Sequence, residues 1–209
     1  MKRIAIICAS LLAFSLLTSP AHAWFWGEDT YTETRYPVVL AHGMFGFDSL
    51  AGVDYWYRIP GELERSGADV HVTQVAALDG TAQRGEQLAR QVEEILATTG
   101  ADQVNLIGHS HGAPTIRYVA SVYPHYVASA TSVGGVNQGS RVADVVKGVT
   151  DDSALAESTV ETLGNALGNL IGLLSSSDYD ADVMASLSDL TTDALTRFNQ
   201  QYPEGVPAD

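Results

Sequence analysis

The chain has 209 residues, 45% of them apolar, and a formal net charge of −14. That is enough apolar material for one hydrophobic core. The acidity excludes the basic surface by which proteins hold nucleic-acid phosphates and disfavours docking on anionic membranes. The single cysteine is Cys8, so the remainder of the chain offers neither a disulfide nor a thiolate ligand for a metal.

At the N-terminus Lys2 and Arg3 precede an apolar run from Ile4 to Leu17, and Ala21-His22-Ala23 places small residues around a cleavage point. This pattern predicts a secretory signal peptide over residues 1–23, with an apolar part too short to span a bilayer and a mature chain beginning at Trp24. After its removal nine Lys and Arg face 25 Asp and Glu, and Lys147 is the one lysine left. Residues 24–209 read as one domain, without repeats or Pro-rich linkers.

Tyr36 to Ala41 is a short apolar run ending at His42-Gly43 and predicts a buried strand. Asp54 to Ser66 carries Trp56, Ile59 and Leu63 at helical spacing, with Gly67 as a stop. Val70 to Val75 alternates as a strand does. Thr81 to Thr98 is the clearest helix, with Leu88, Val92, Ile95 and Leu96 on one face and Gly100 as its C-cap. Gln103 to Ile107 predicts a strand, Ala113 to Tyr123 a helix closed by Pro124, and Val127 to Val133 another strand. Strands alternating with helices mean an α/β fold with a mostly parallel sheet flanked by helices.

Beyond Gly139 the alternation stops. Leu155, Val160, Leu163, Leu167, Leu170, Ile171 and Leu174 form the apolar face of a helix rich in Gly, Ala and Ser. Such a face serves a core helix or a lid over an active site; the whole lid region runs from about 140 to 178.

Gly108-His109-Ser110-His111-Gly112 is G-x-S-x-G set between a predicted strand and a predicted helix. A sharp strand-to-helix turn pushes the serine side chain outward, and glycines flank it because a Cβ would clash in so tight a turn. Ser110 is therefore the expected nucleophile. The helix that follows points free N–H groups toward a developing oxyanion. The residue after the nucleophile, His111, is expected to give its backbone N–H, and the loop after the early strand a second one, from Met44 within His42-Gly43-Met44-Phe45-Gly46. His42 precedes the serine, whereas the base of this fold comes last, so it reads as a packed, hydrogen-bonded histidine.

Ala41 to Asp48, Gly52 to Tyr57, Arg84 to Leu88 and Val104 to Arg117 together resemble the secreted true lipases of Gram-negative bacteria, the Pseudomonas and Burkholderia type, over Tyr31 to Pro207. The resemblance implies the α/β-hydrolase fold with a helical lid and the hydrolysis of triacylglycerols at a lipid–water interface. It also implies a foldase as partner during export, and calcium held by ligands expected beyond Asp209, with no metal ligand in this chain. It further implies that Arg84 braces the oxyanion loop; from the helical pattern Arg84 reads equally as a solvated residue. The loop Gly134 to Ser140 departs from the family's Gly-x-Pro-His-x-Gly-Ser.

The family's acid and histidine are likewise expected beyond Asp209, so the chain reads as C-terminally truncated. His125 is the only histidine after the elbow, and at a 1.5 Å rise per residue it belongs about 15–20 Å from Ser110. Asp178, Asp180, Asp182, Asp189 and Asp193 read as solvated charges. Two further readings stay open: a short-chain carboxylesterase or acyltransferase with the same machinery, and a non-catalytic decoy.

Overall fold

A computed structural model describes residues 30–50, 53–174 and 179–205 of the chain. The expected signal peptide, its cleavage point and Asp178 lie outside the described residues. The side chains of Leu155, Leu163, Leu167, Leu170, Ile171 and Leu174, on which the expected apolar helix face rests, do so as well.

Four parallel strands make the main sheet. Strand β1 spans Val38–Ala41. A two-residue antiparallel ribbon follows, with β2 at Ser49–Leu50 and β3 at Val53–Asp54. Helix α1 (Ile59–Arg65), β4 (Val70–Thr73), α2 (Thr81–Thr99), β5 (Val104–His109), α3 (Gly112–Val122) and β6 (Val127–Val133) come next. The order across the sheet is β4-β1-β5-β6. In register, Val39 lies beside His71 on one side and Leu106 on the other.

Strand β1 is buried at every position, which explains why its sequence is uniformly apolar and not alternating. On one face Val39, Val104 and Leu106 meet Leu88 and Val92 of α2 and Ile116 and Val119 of α3. On the other, Val38 and Leu40 pack with Trp56. Gly85 brings α2 and α3 close together: a Cβ there would lie 2.2 Å from the Tyr118 ring. Gly100, with φ +71°, closes α2 and donates its N–H to Leu96 O at 2.9 Å.

Three expectations need correction. The helix read from Asp54 begins at Ile59, because Asp54 pairs with Ser49 in the ribbon and Arg58 takes φ +63° just before Pro60 in the first turn. The strand from Val70 stops at Thr73, since Gln74 N turns away to Gln91 and Val75 N to the His42 ring. The strand before Gly108 instead continues through His109.

After Gly139 the described regular structure is all helical. Helices α4 (Arg141–Asp151), α5 (Ala154–Leu174), α6 (Val183–Asp189) and α7 (Thr192–Gln201) follow one another. Ser140, Asp182 and Thr191 cap α4, α6 and α7 with their side chains. Asp182 and Asp189 are thus more than solvated charges: Asp182 accepts from Ala185 N, and Asp189 accepts from Thr81 N at 2.6 Å and ties α6 to the start of α2. Helix α5 is fastened to the following segment, where Asn165 accepts from Val183 N and Asn169 from Ala181 N. No described helix is long and apolar enough to cross a membrane.

Candidate active site

Ser110 sits between the C-terminal end of β5 and the first turn of α3, with φ +54°. A left-handed backbone is unfavourable for a residue with a Cβ, and the turn is held by its hydrogen bonds. Ser110 N donates to Val133 O at 3.1 Å, and Ser110 O accepts from Ala113 N at 3.1 Å. The flanking glycines are sterically required. A Cβ on Gly108 would lie 2.3 Å from Gly112 O, and one on Gly112 would lie 2.3 Å from Ala41 O. The ends of parallel strands are where open α/β sheets place their ligands.

The turn from Gly43 to Gly46 lies against the serine. A Cβ on Gly43 would be 2.8 Å from Ser110 Cβ, so only glycine lets the loop come this close. Phe45 N donates to Ala77 O, and Gly46 N to Gly43 O. The Met44 side chain packs partly buried between two apolar clusters, one around Leu78, Val183 and Leu187, the other around Ala143, Leu190 and Leu195. Among the described residues neither Met44 N nor His111 N has a hydrogen-bond acceptor.

Arg84 lies on the inner face of α2, fully buried. Its guanidinium donates to the carbonyl oxygens of Ala76 and Ala77, of His42 at 2.6 Å and of Gly43 at 3.3 Å. The reading of Arg84 as a solvated helix residue is therefore overturned. Burial lowers its pKa to about 10, against the opposing pull of Asp79, which leaves it charged at neutral pH.

His42 is buried and engaged through both nitrogens: Nδ1 with Gly43 O at 2.9 Å, and Nε2 accepting from Val75 N at 3.2 Å. Burial first, then the Arg84 charge, pushes its pKa down to about 3. His111 is buried with Nε2 3.0 Å from Thr81 Oγ1. Burial and the charge of Arg84 hold its pKa well below the usual imidazole value. Both rings are thus neutral, and Arg84 supplies the fixed positive charge behind the loop.

Among the described residues no histidine nitrogen lies at hydrogen-bond distance from Ser110 Oγ. His42 uses both ring nitrogens, His111 Nε2 meets Thr81 Oγ1 while its Nδ1 has no hydrogen-bond partner among the described residues, and His109 Nδ1 meets Tyr55 Oη at 2.5 Å. His71 faces Asp69 on β4, and His125 lies exposed in a short 3₁₀ turn beyond α3, its ring against Tyr126. No group of three or more His, Cys, Asp or Glu side chains among the described residues is placed to hold a metal. Tyr55, which also accepts from Gly43 N at 3.1 Å, and Thr81 are site neighbours that sequence reasoning missed; Tyr55 stands inside one of the matching blocks, but nothing local marked its hydroxyl.

Comparison with known proteins agrees with this geometry. Residues 36–207 match the alpha/beta hydrolase fold family. A triacylglycerol lipase of Vibrio cholerae serotype O1 is 52% identical over 208 residues, covering 99% of this chain and 67% of that protein. One from Burkholderia plantarii is 42% identical, covering 93% of this chain and 55% of the relative. The chain thus spans between half and two thirds of the length of these relatives. Among solved structures, the mature Bacillus licheniformis lipase BlEst2 superposes with a TM-score of 0.57 at 20% identity, covering 81% of this chain and 60% of that one. The elbow, the sheet order and the match over most of the sequence lead to one conclusion: the chain belongs to the alpha/beta hydrolase fold family, among relatives named triacylglycerol lipase.

Proposed function

We propose that this chain carries the nucleophile and oxyanion hole of a secreted triacylglycerol lipase, with Ser110 as the attacking residue. The observation that carries the reading is Ser110 at φ +54° on the strand–helix elbow, with Gly43 closed against its Cβ. Ser110 Oγ adds to the ester carbonyl, its proton passes to a base, and the carbonyl oxygen becomes an oxyanion. Met44 N–H and His111 N–H bind that oxyanion, aided by the N-terminus of α3 and the charge of Arg84. Collapse expels the alcohol and leaves an acyl-serine, which water hydrolyses to the free acid.

Removal of the Ser110 proton needs a base at about 2.6–3.2 Å, and among the described residues no histidine nitrogen is hydrogen-bonded to Ser110 Oγ. Full turnover on this reading therefore requires a base and its carboxylate from outside the residues described. Calcium is implied only by the resemblance to the secreted lipases. Export through a signal peptide at 1–23 and a foldase partner rest on the sequence alone. The lid assignment gains support from Val160 of α5, which packs in the same cluster as Met44 and Phe45. A helix so placed covers the oxyanion loop when closed and frees it when moved.

The test is covalent labelling of the chain with a p-nitrophenyl alkylphosphonate. One equivalent of nitrophenol and a matching mass increase on the peptide containing Ser110 are expected, and Ser110→Ala should abolish both. A label that persists in Ser110→Ala would overturn the assignment. Hydrolysis rates across ester chain lengths separate a lipase from a short-chain esterase.

A further inference from the structure

We propose that Tyr55 and His109 form a positioning relay that fixes the Gly43–Met44 peptide against the nucleophile; this rests on reading the Gly43 to Gly46 turn as the oxyanion loop. Neither side chain is needed for the bond-making steps above. Both act by holding the backbone from which one oxyanion donor projects.

Met44 N–H belongs to the same peptide unit as Gly43 C=O. The unit is trans, so the N–H points opposite to the carbonyl. Arg84 and His42 hold that carbonyl, which aims Met44 N–H the other way. Gly43 has no side chain to restrain its own torsions, so a second hold is needed on its N-terminal side. Tyr55 supplies it, accepting from Gly43 N at 3.1 Å. The hydroxyl is near the chemistry: a Cβ on Gly43 would lie 3.1 Å from Tyr55 Oη and 2.8 Å from Ser110 Cβ.

The Tyr55 oxygen has one proton to give. With Gly43 N–H donating to that oxygen, the proton is free to go to His109 Nδ1, 2.5 Å away. In this direction Nδ1 is the accepting, unprotonated nitrogen and the ring hydrogen sits on Nε2. The relay thus runs Gly43 N–H to Tyr55 O–H to His109 Nδ1. It returns to the residue beside the nucleophile, so the two arms of the oxyanion hole are tied to each other. The Tyr55 ring is held by packing against Phe47, Trp56, His42 and His109, with centroids 5.5 to 5.8 Å apart. A hydroxyl on so restrained a ring can set a position, which a solvent-exposed one cannot.

Amide hydrogen exchange of the full chain tests the relay without depending on turnover. Tyr55→Phe keeps the ring and removes the acceptor; Gly43 N–H exchange should rise about tenfold or more while that of α2 stays unchanged. His109→Leu should move Gly43 in the same direction. His109→Asn, which can return an oxygen acceptor near the Nδ1 position, should recover most of the protection. The double variant Tyr55→Phe/His109→Leu should be no worse than Tyr55→Phe alone, since coupled partners are not additive. In the unsubstituted protein the ¹⁵N shifts of His109 should show Nδ1 as the unprotonated nitrogen, a measurement that needs no variant to fold. Unchanged Gly43 exchange in Tyr55→Phe, additive losses, or a proton on Nδ1 would each overturn the relay. Should Ser110 resist the phosphonate while Gly43 exchange responds as expected, the relay stands and the hydrolase reading alone falls.

Discussion

Arg84 Nη2 donates to the carbonyl oxygen of His42 at 2.6 Å, joining the inner face of α2 to the end of β1 across 42 residues of sequence. The same guanidinium reaches Gly43, Ala76 and Ala77, so one planar fork satisfies four carbonyl oxygens from two loops. Arg84→Met keeps the bulk but strips those carbonyls of their donor, and should cost about 2–3 kcal/mol in urea denaturation. Arg84→Lys should recover little of that loss, because an ammonium cannot match the fork geometry. Full stability in either variant would mean that the loops hold themselves.

The close approach of Gly43 to Ser110 predicts a separation of activity from folding. Gly43→Ala should push the loop off the nucleophile and slow phosphonate labelling of Ser110 by about 100-fold, the scale of losing one oxyanion donor. Gly61, in the first turns of α1, has open space where a Cβ would stand. There Gly61→Ala should raise stability by about 0.5–1 kcal/mol and leave labelling alone. Equal labelling rates for both variants would argue that the loop is not part of the site.

His42 gives a pH dependence. Its pKa falls from 6.5 to about 3 on folding, so between these values the unfolded chain binds the extra proton. Stability should therefore be complete above about pH 6.5 and decline as pH falls toward 3, by about 1.4 kcal/mol per pH unit from this group. His111, also depressed, adds in the same direction. Denaturation midpoints at pH 7, 6 and 5 measure the slope, and His42→Gln should flatten it. An unchanged slope in that variant would remove His42 as the cause.

The placement of the described histidines, none of them hydrogen-bonded to Ser110 Oγ, predicts what the 209-residue chain does alone. It should release nitrophenol slowly from an activated ester, whose leaving group needs little acid catalysis, and should not hydrolyse triacylglycerol measurably. Brisk triacylglycerol turnover that depends on Ser110 would show that one of these histidines reaches the nucleophile in solution.

The elbow and the alternation of strands and helices were legible because glycine placement and burial leave marks within a few residues. β1 reads as a buried strand from its unbroken apolar run, and α2 from its period and its Gly100 cap. Arg84 was ambiguous, since a helical arginine looks alike whether it meets water or four carbonyls; only the fold brings Ala76 and His42 to it. Tyr55 was invisible for the same reason: its partners, Gly43 and His109, come from two other segments. Helices α4, α6 and α7 span 11, 7 and 10 residues, against 19 for α2, so each repeats its apolar pattern over few turns. Their caps Ser140, Asp182 and Thr191 were the available signal; from sequence Ser140 reads as loop and Asp182 as a solvated charge.

The left-handed turn at Ser110 sets heat resistance and activity against each other at one position. A backbone at φ +54° costs a serine on the order of 1 kcal/mol or more that glycine would not lose. A library of this chain sorted only by melting temperature should therefore enrich glycine at position 110, each winner more robust and inert. Any programme to harden the protein has to select on acyl transfer in every round, because the fold by itself favours losing its nucleophile.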